Sequence, residues 1–248
     1  MAASIDILHP DKPKRVLIVA SNPSTSTQTG WPIGFWWAEP THPYWEFVER
    51  GYHITIASPD GGPLVADAFS DPEDPSGYSA HDLLSLGFKR SPTHAALLDN
   101  TVALGDVSVD DFDAVFLAGG QGPMYTFVDN AALHHLVSTF YEAAKPTAIV
   151  CHATCVLLKA TTSDGRLIVA DKTWTGFANR EEQFADDLVG QRIQPFRIED
   201  EARKIPNTNF VVNSPFKAFA LRDGNLVTGQ QQYSGAAAAR LVVEALGL

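Results

Sequence analysis

"PTAIVCHATCVLLKA" occupies residues 146–160, and its reading decides the fold. Thr147–Val150 is a short run filled by Ile and Val and delimited by Pro146, which predicts a buried strand. Ala153–Ala160 is compact and helix-compatible. Cys151 and His152 therefore stand at a strand-to-helix turn, where a side chain is presented upward and nearby backbone N–H groups are unpaired. A helix N-terminus stabilises a thiolate, so a cysteine there is expected to have a depressed pKa and to serve as a nucleophile. The competing reading is a small buried hydrophobe, as free cysteines often are. These residues alone leave both open.

Working outward, the same alternation recurs. "RVLIVA" (15–20) is a continuous apolar run ending in a Ser/Thr-rich loop, the pattern of a parallel strand buried on both faces. Trp37, Thr41, Tyr44, Phe47 and Val48 follow at helical spacing, with Gly51 as a stop. "YHITIAS" (52–58) closes a βαβ unit. "DAVFLAGGQG" (113–122) is another buried strand running into a glycine turn, and "NAALHHLVSTFYEAA" (130–144) is an amphipathic helix with apolar positions at 133, 136, 137, 140 and 141. Beyond residue 160, "KTWTGF" (172–177), "NFVVN" (209–213) and the hairpin "AFALRDGNLVTG" (218–229) read as strands, and "SGAAAARLVVEAL" (234–246) as the last helix. Strands alternating with helices predict one α/β domain over residues 1–248 with a mostly parallel sheet. The polar, Pro-, Ser- and Asp-rich stretch at about 61–110 reads as an insertion over the sheet edge, with one modest helix near His81–Lys89.

The bulk properties narrow the class. A chain of 248 residues is long enough for a substantial core. Its net charge of −11 argues against nucleic acid or anionic membrane as the main partner, since both repel an acidic surface. Two cysteines make no disulfide framework, and no histidine pair stands near them at ligand spacing, so no metal is expected. The apolar run Val16–Ala20 behind Lys12, Lys14 and Arg15 is too short for a signal segment or a membrane span. The expectation is a cytoplasmic protein.

In open α/β sheets, ligands bind outside the carboxyl ends of the strands. Three features converge there: the loop leading to Glu39, the "GGQG" turn, and Cys151-His152. At this point the chain resembles the ThiJ/PfpI superfamily. The resemblance rests on "FLAGGQGPMYTF", "AIVCHATCVLLKA" and "TGFANREEQ" in that order, and is sharpened by "AEPTHPYWEF" and "DGNLVTGQQQYSGAAAARLVVEAL", which are similar to its heat-shock-chaperone and glyoxalase III branch. It implies a flavodoxin-like sandwich with helices on both faces. It also implies that Cys151 is the nucleophile, His152 the catalytic histidine, Glu182 the acid orienting it, and Glu39 a carboxyl beside the thiol. Gly119 and Gly120 match the glycines whose N–H groups face a developing oxyanion, and Ala153 is expected beside them among the substrate-binding positions. Two residues depart from the pattern: Ala153 replaces a glycine and adds a methyl near the elbow, and Gln121 replaces a histidine, cannot titrate, and still donates hydrogen bonds.

Each site has a bland reading beside the functional one. Glu39 also suits a first-turn acid facing the macrodipole. Glu181 competes with Glu182, Cys155 reads as core packing, and His42 as packing, pocket or dimer contact. Trp31, Phe35, Trp36 and Trp37 are core aromatics or the wall of a small-molecule pocket. The activity implied by the resemblance is a cofactor-independent, glutathione-independent glyoxalase that takes a small aldehyde, methylglyoxal, to lactate, in a homodimer. Deglycation of early glycation adducts shares the nucleophile. A stress-protective holdase, or another hydratase or amidase on the same cysteine, stands as the alternative.

Overall fold

The computed structural model describes residues 13–247. The expectation of no leader rests on the run Val16–Ala20, and the residues ahead of it, 1–12, lie outside the described residues.

The chain opens with β1 (Arg15–Val19), the short β2 (Ser24–Thr25) and β3 (Pro32–Ile33), then α1 (Ala38–Val48) and β4 (His53–Ser58). The 61–110 segment holds α2 (Leu83–Arg90), α3 (Pro92–Asp99) and β5 (Val102–Ala103). There follow β6 (Ala114–Leu117), the single turn α4 (Pro123–Thr126), α5 (Ala131–Glu142) and β7 (Thr147–Val150). Past the cysteine come β8 (Thr173–Trp174), α6 (Asn179–Val189), α7 (Ile198–Ala202) and β9 (Asn209–Phe210). The hairpin β10 (Ala220–Asp223) and β11 (Leu226–Gly229) leads to α8 (Gly235–Ala245).

Seven strands form one sheet in the order β10-β11-β7-β6-β1-β4-β5, parallel throughout except for the antiparallel edge strand β10. Register follows the apolar runs: Val16 lies between Ile54 and Ala114, and Leu117 pairs with Ile149. Val16–Val19, Ala114–Leu117 and Ala148–Val150 have no exposed surface, because helices cover both faces. From β1 the chain steps through α1 to β4, and from β6 through α5 to β7, in opposite directions along the sheet. Right-handed crossovers in opposite directions put α1 and α5 on opposite faces. The order reverses between β1 and β6, and the crevice above that switch point is where this architecture holds ligands. The fold is the flavodoxin-like α/β sandwich.

Three details differ from the sequence reading. The 61–110 segment carries two helices and an edge strand rather than one modest helix: Asp82 caps α2 by accepting from Ser85 N–H at 3.1 Å, and Pro92 opens α3 at its first position. The runs at 172–177 and 209–213 shrink to a two-residue parallel pair outside the main sheet. The helix expected after Cys151 is a 3₁₀ helix over Cys151–Leu158, three residues per turn rather than 3.6.

Candidate active site

Cys151 sits where β7 ends, and its φ of +57° lies in the left-handed region that an L-residue other than glycine, Asn or Asp seldom adopts. Such a conformation costs on the order of 1–3 kcal/mol and persists only where its surroundings hold it. Here the following 3₁₀ turn holds it, with Thr154 Oγ1 donating to the Cys151 carbonyl at 2.6 Å. Gly119, from the turn after β6, closes against it: a Cβ there would lie 2.8 Å from Cys151 Cβ and 2.6 Å from Glu39 Oε2. Only glycine lets the turn, the thiol and the carboxyl meet.

Glu39 reaches this point from the first turn of α1 with no exposed surface. Its Oε2 accepts the Gly119 N–H at 2.6 Å, its Oε1 is buried without a hydrogen-bond partner, and the carboxyl lies against the Cys151 thiol. Burial raises its pKa to about 8, against the lowering pull of the Cys151 and Gly119 hydrogen bonds. Glu39 is therefore protonated at neutral pH. Burial also pushes the Cys151 thiol up, and the neighbouring Glu39 adds to that, while the backbone N–H groups of His152 and Gly120 pull the other way. The expected depressed thiol pKa is thus corrected: loss of solvent outweighs the donors at the helix start.

His152 connects the thiol to a second acid. Its Nδ1 lies 3.4 Å from Cys151 Sγ, its Nε2 lies 3.1 Å from Glu182 Oε1, and its ring stacks on Phe177 at 4.0 Å. A carboxylate on Nε2 holds the proton there and leaves Nδ1 free to accept from sulfur. Burial opposes charge on the imidazole, but Glu182, then Glu39 and Asp67, outweigh it and raise its pKa. Glu181 faces elsewhere. It accepts from Ala178 N–H at 3.0 Å, Phe216 N–H at 2.9 Å and Gln230 Nε2 at 2.9 Å, pinning the start of α6 to two loops.

Two predicted binding residues are displaced from that role. The Gly119 N–H is taken by Glu39, so of the two glycines Gly120, with φ +111°, is the one whose backbone N–H favours the Cys151 thiolate. Ala153 has no exposed surface; its methyl belongs to the hydrophobic core and does not line the cleft. Gln121 does line it, with its side-chain carbonyl buried and unpartnered.

Asp67 is a site residue that the sequence motifs do not mark. It is 1 % exposed and accepts from Gly34 N–H at 3.0 Å and Gln121 N–H at 2.6 Å, tying the loop before α1 to the turn after β6. Burial raises its pKa to about 7 against those two bonds. The available signal was a lone acid between apolar residues in "PLVADAF", the mark of a carboxylate buried for a purpose. The 61–110 segment thus supplies part of the site as well as covering the sheet edge.

Over the thiol stands an apolar cleft. Trp31 and Trp36 line it, whereas Phe35 and Trp37 are buried in a core cluster. His42 bonds Asp82 at 2.8 Å, away from the cleft. Among the described residues no three His, Cys, Asp or Glu side chains are grouped to hold a metal, and no helix is long and apolar enough to cross a membrane.

The chain is similar to proteins already known. The sequence profile of the DJ-1/PfpI family matches residues 34–245. A glutathione-independent glyoxalase of Saccharomyces cerevisiae is 24% identical, the match covering 94% of this chain and 98% of that one. Glyoxalase 3 of Candida albicans is also 24% identical, over 94% of this chain and 98% of its own length. The structure of the 24-kDa Rapid Encystment Protein of Francisella tularensis superposes with a TM-score of 0.83 at 26% identity, over 95% of this chain and 100% of that one.

Proposed function

This chain belongs to the DJ-1/PfpI family, and on that premise we propose that it is a glutathione-independent glyoxalase converting methylglyoxal to lactate on Cys151. The observation that carries the reading is a proton carrier on each side of one sulfur: His152 Nδ1 at 3.4 Å, and the buried, protonated Glu39 against the thiol. A simple hydrolase needs one base beside its nucleophile; moving hydrogen between adjacent carbons needs an acid that also returns as a base.

As Cys151 Sγ bonds to the aldehyde carbon, His152 takes the thiol proton and Glu39 gives its own to the carbonyl oxygen, forming a hemithioacetal. The Gly120 N–H is the backbone donor available to the developing charge. Glu39, now a carboxylate, removes the hydrogen from C1 as a proton, and His152 protonates the C2 oxygen to give an enediol. Glu39 returns the proton to C2 while the C1 hydroxyl loses its own to His152, leaving a thioester. Water cleaves the thioester, releasing lactate and restoring the thiol. C1 is oxidised and C2 reduced within one molecule, so the sum is methylglyoxal plus water. Glu182 serves by holding the His152 ring.

The same proposal includes a cytoplasmic homodimer, supported by family likeness; light scattering that gives a 26.9-kDa species at micromolar concentration would remove the dimer. The activity itself is tested by lactate formation from methylglyoxal without glutathione. Wild type should produce lactate and Cys151→Ala none; no lactate from wild type refutes the reading, and aggregation suppression surviving in both would point to a holdase.

A further inference from the structure

Methylglyoxal carries a single methyl group, yet the cleft above Cys151 is walled on two sides by large apolar side chains. One wall comes from the loop before α1 and from the 61–110 segment. Trp36 packs edge-on against Tyr78 at 6.0 Å, Tyr78 against Phe69 at 6.2 Å, and Phe69 against Trp31 at 6.3 Å, a continuous aromatic surface. The opposite wall is α6 with the loop at Phe216. Phe184 and Leu188, one turn apart, line the cleft while remaining 51% and 62% exposed, and Phe184 meets Phe216 at 5.1 Å. Large hydrophobes this exposed have no role in the core of the chain. Neither wall is needed for the chemistry at sulfur, and each leaves apolar surface in contact with water until something flat and apolar fills the gap.

Two buried polar atoms lie in the same cleft. The side-chain carbonyls of Gln121 and Gln194 are out of solvent and have no hydrogen-bond partner, although a buried acceptor normally has one. A ligand bearing a donor, such as the hydroxyls of a hydrated aldehyde, would satisfy them.

We infer that the preferred substrates are 2-oxoaldehydes bearing an aromatic or similarly bulky apolar group, with the ring held between the Trp31–Tyr78 wall and the Phe184–Leu188 wall. The inference rests on the glyoxalase reading above and specifies its substrate class. Its chemistry is unchanged: the aryl 2-oxoaldehyde plus water becomes the aryl 2-hydroxy acid, C1 oxidised and C2 reduced, with no external oxidant. Desolvating a ring where methylglyoxal offers only a methyl should raise kcat/KM by about tenfold or more, mostly through KM.

The test compares phenylglyoxal with methylglyoxal, both without glutathione, following mandelate and lactate. Wild type should favour phenylglyoxal by at least about tenfold in kcat/KM. Phe184→Ser/Leu188→Ser, two exposed positions whose replacement spares the core, should cut that preference several-fold, with circular dichroism reporting an intact fold. Trp31→Ala should cut it from the other wall. Conversion of methylglyoxal with no preference for phenylglyoxal would overturn this inference and leave the glyoxalase standing. A preference untouched by either wall variant would also overturn it, and conversion of neither compound would remove both readings.

Discussion

Cys151 and Cys155 differ by four positions on one short segment, and the structure gives them opposite fates. Had the segment been an α-helix, residues four apart would share a face. In a 3₁₀ helix of three residues per turn, the fourth residue on is rotated by about 120°. Cys151 lines the cleft, between Glu39 and His152. Cys155 turns into the core, where its thiol donates to the Pro123 carbonyl at 3.4 Å and burial pushes its pKa up. Burial raises both thiols, so what separates them is their neighbours: one has a base and an acid within reach, the other a carbonyl that can only accept.

The sharpest way to break this contrast is to remove each sulfur. Cys151→Ala should eliminate lactate formation, whereas Cys155→Ala should keep turnover near wild type and cost about 1–2 kcal/mol of stability, read from urea unfolding. Equal losses of activity would mean that the two thiols are not distinguished as the geometry says.

Next in size is the acid beside Cys151. Glu39→Gln keeps volume and a hydrogen bond but cannot carry a proton, and should lower kcat about 10²–10⁴-fold with a modest change in KM. Wild-type activity should fall on the alkaline side with an apparent pKa near 8, as Glu39 loses the proton it donates and its charge opposes the thiolate. That limb should vanish from the residual activity of the variant. If instead turnover recovers fully once the thiolate fraction, measured by Cys151 alkylation across pH, is matched, Glu39 only tunes the thiol.

Glu182→Gln should cost less, about 10–100-fold, because an orienting partner acts through the ring it holds. The same change at Glu181 should act on stability and not on the pH profile of Cys151 alkylation. A profile shifted by Glu181→Gln and untouched by Glu182→Gln would reverse the assignment of the two acids.

Mild peroxide should oxidise Cys151 and leave Cys155 largely intact by mass spectrometry, because only Cys151 meets the cleft. A further effect, read as stability and not as turnover, is on unfolding against pH. Glu39 at about 8 and Asp67 at about 7 hold protons in the folded chain that the unfolded chain releases near 4. Folded protein binds more protons over that window, so stability is greatest at its acid end and declines as pH rises toward 8. Glu39→Gln should flatten part of the decline in urea melts taken between pH 5 and 8; an unchanged slope would mean that Glu39 titrates normally.

The order of apolar runs was enough to define a parallel sheet with Cys151 at the carboxyl end of a strand, because strands covered on both faces leave continuous Ile, Val, Leu and Phe tracts that local sequence shows directly. The hairpin "RDGNLVTG" was legible for the same reason: its turn chemistry is local. Glu39 and His152 were marked by their place at the carboxyl ends of strands, but their roles, and Glu182 altogether, came only from motif resemblance, since their meeting joins three separate elements.

Tertiary packing decided the rest. The turn after Val150 is 3₁₀ where local sequence fitted an α-helix, and Cys151 is held in it by the Thr154 hydroxyl and by a glycine from another strand's turn. Burial raised the thiol where helix-terminus reasoning had lowered it, because solvent exclusion is a property of the assembled site and not of one segment. Gly119 gave its N–H to Glu39, an acid eighty residues earlier in the chain, and Ala153 turned into the core. Asp67 stayed hidden in a stretch that reads as polar insertion, since its meaning lies in two backbone N–H groups from loops that only folding brings together. Hydrophobic periodicity is written along the chain; hydrogen bonds and desolvation between distant segments exist only once the chain has closed on itself.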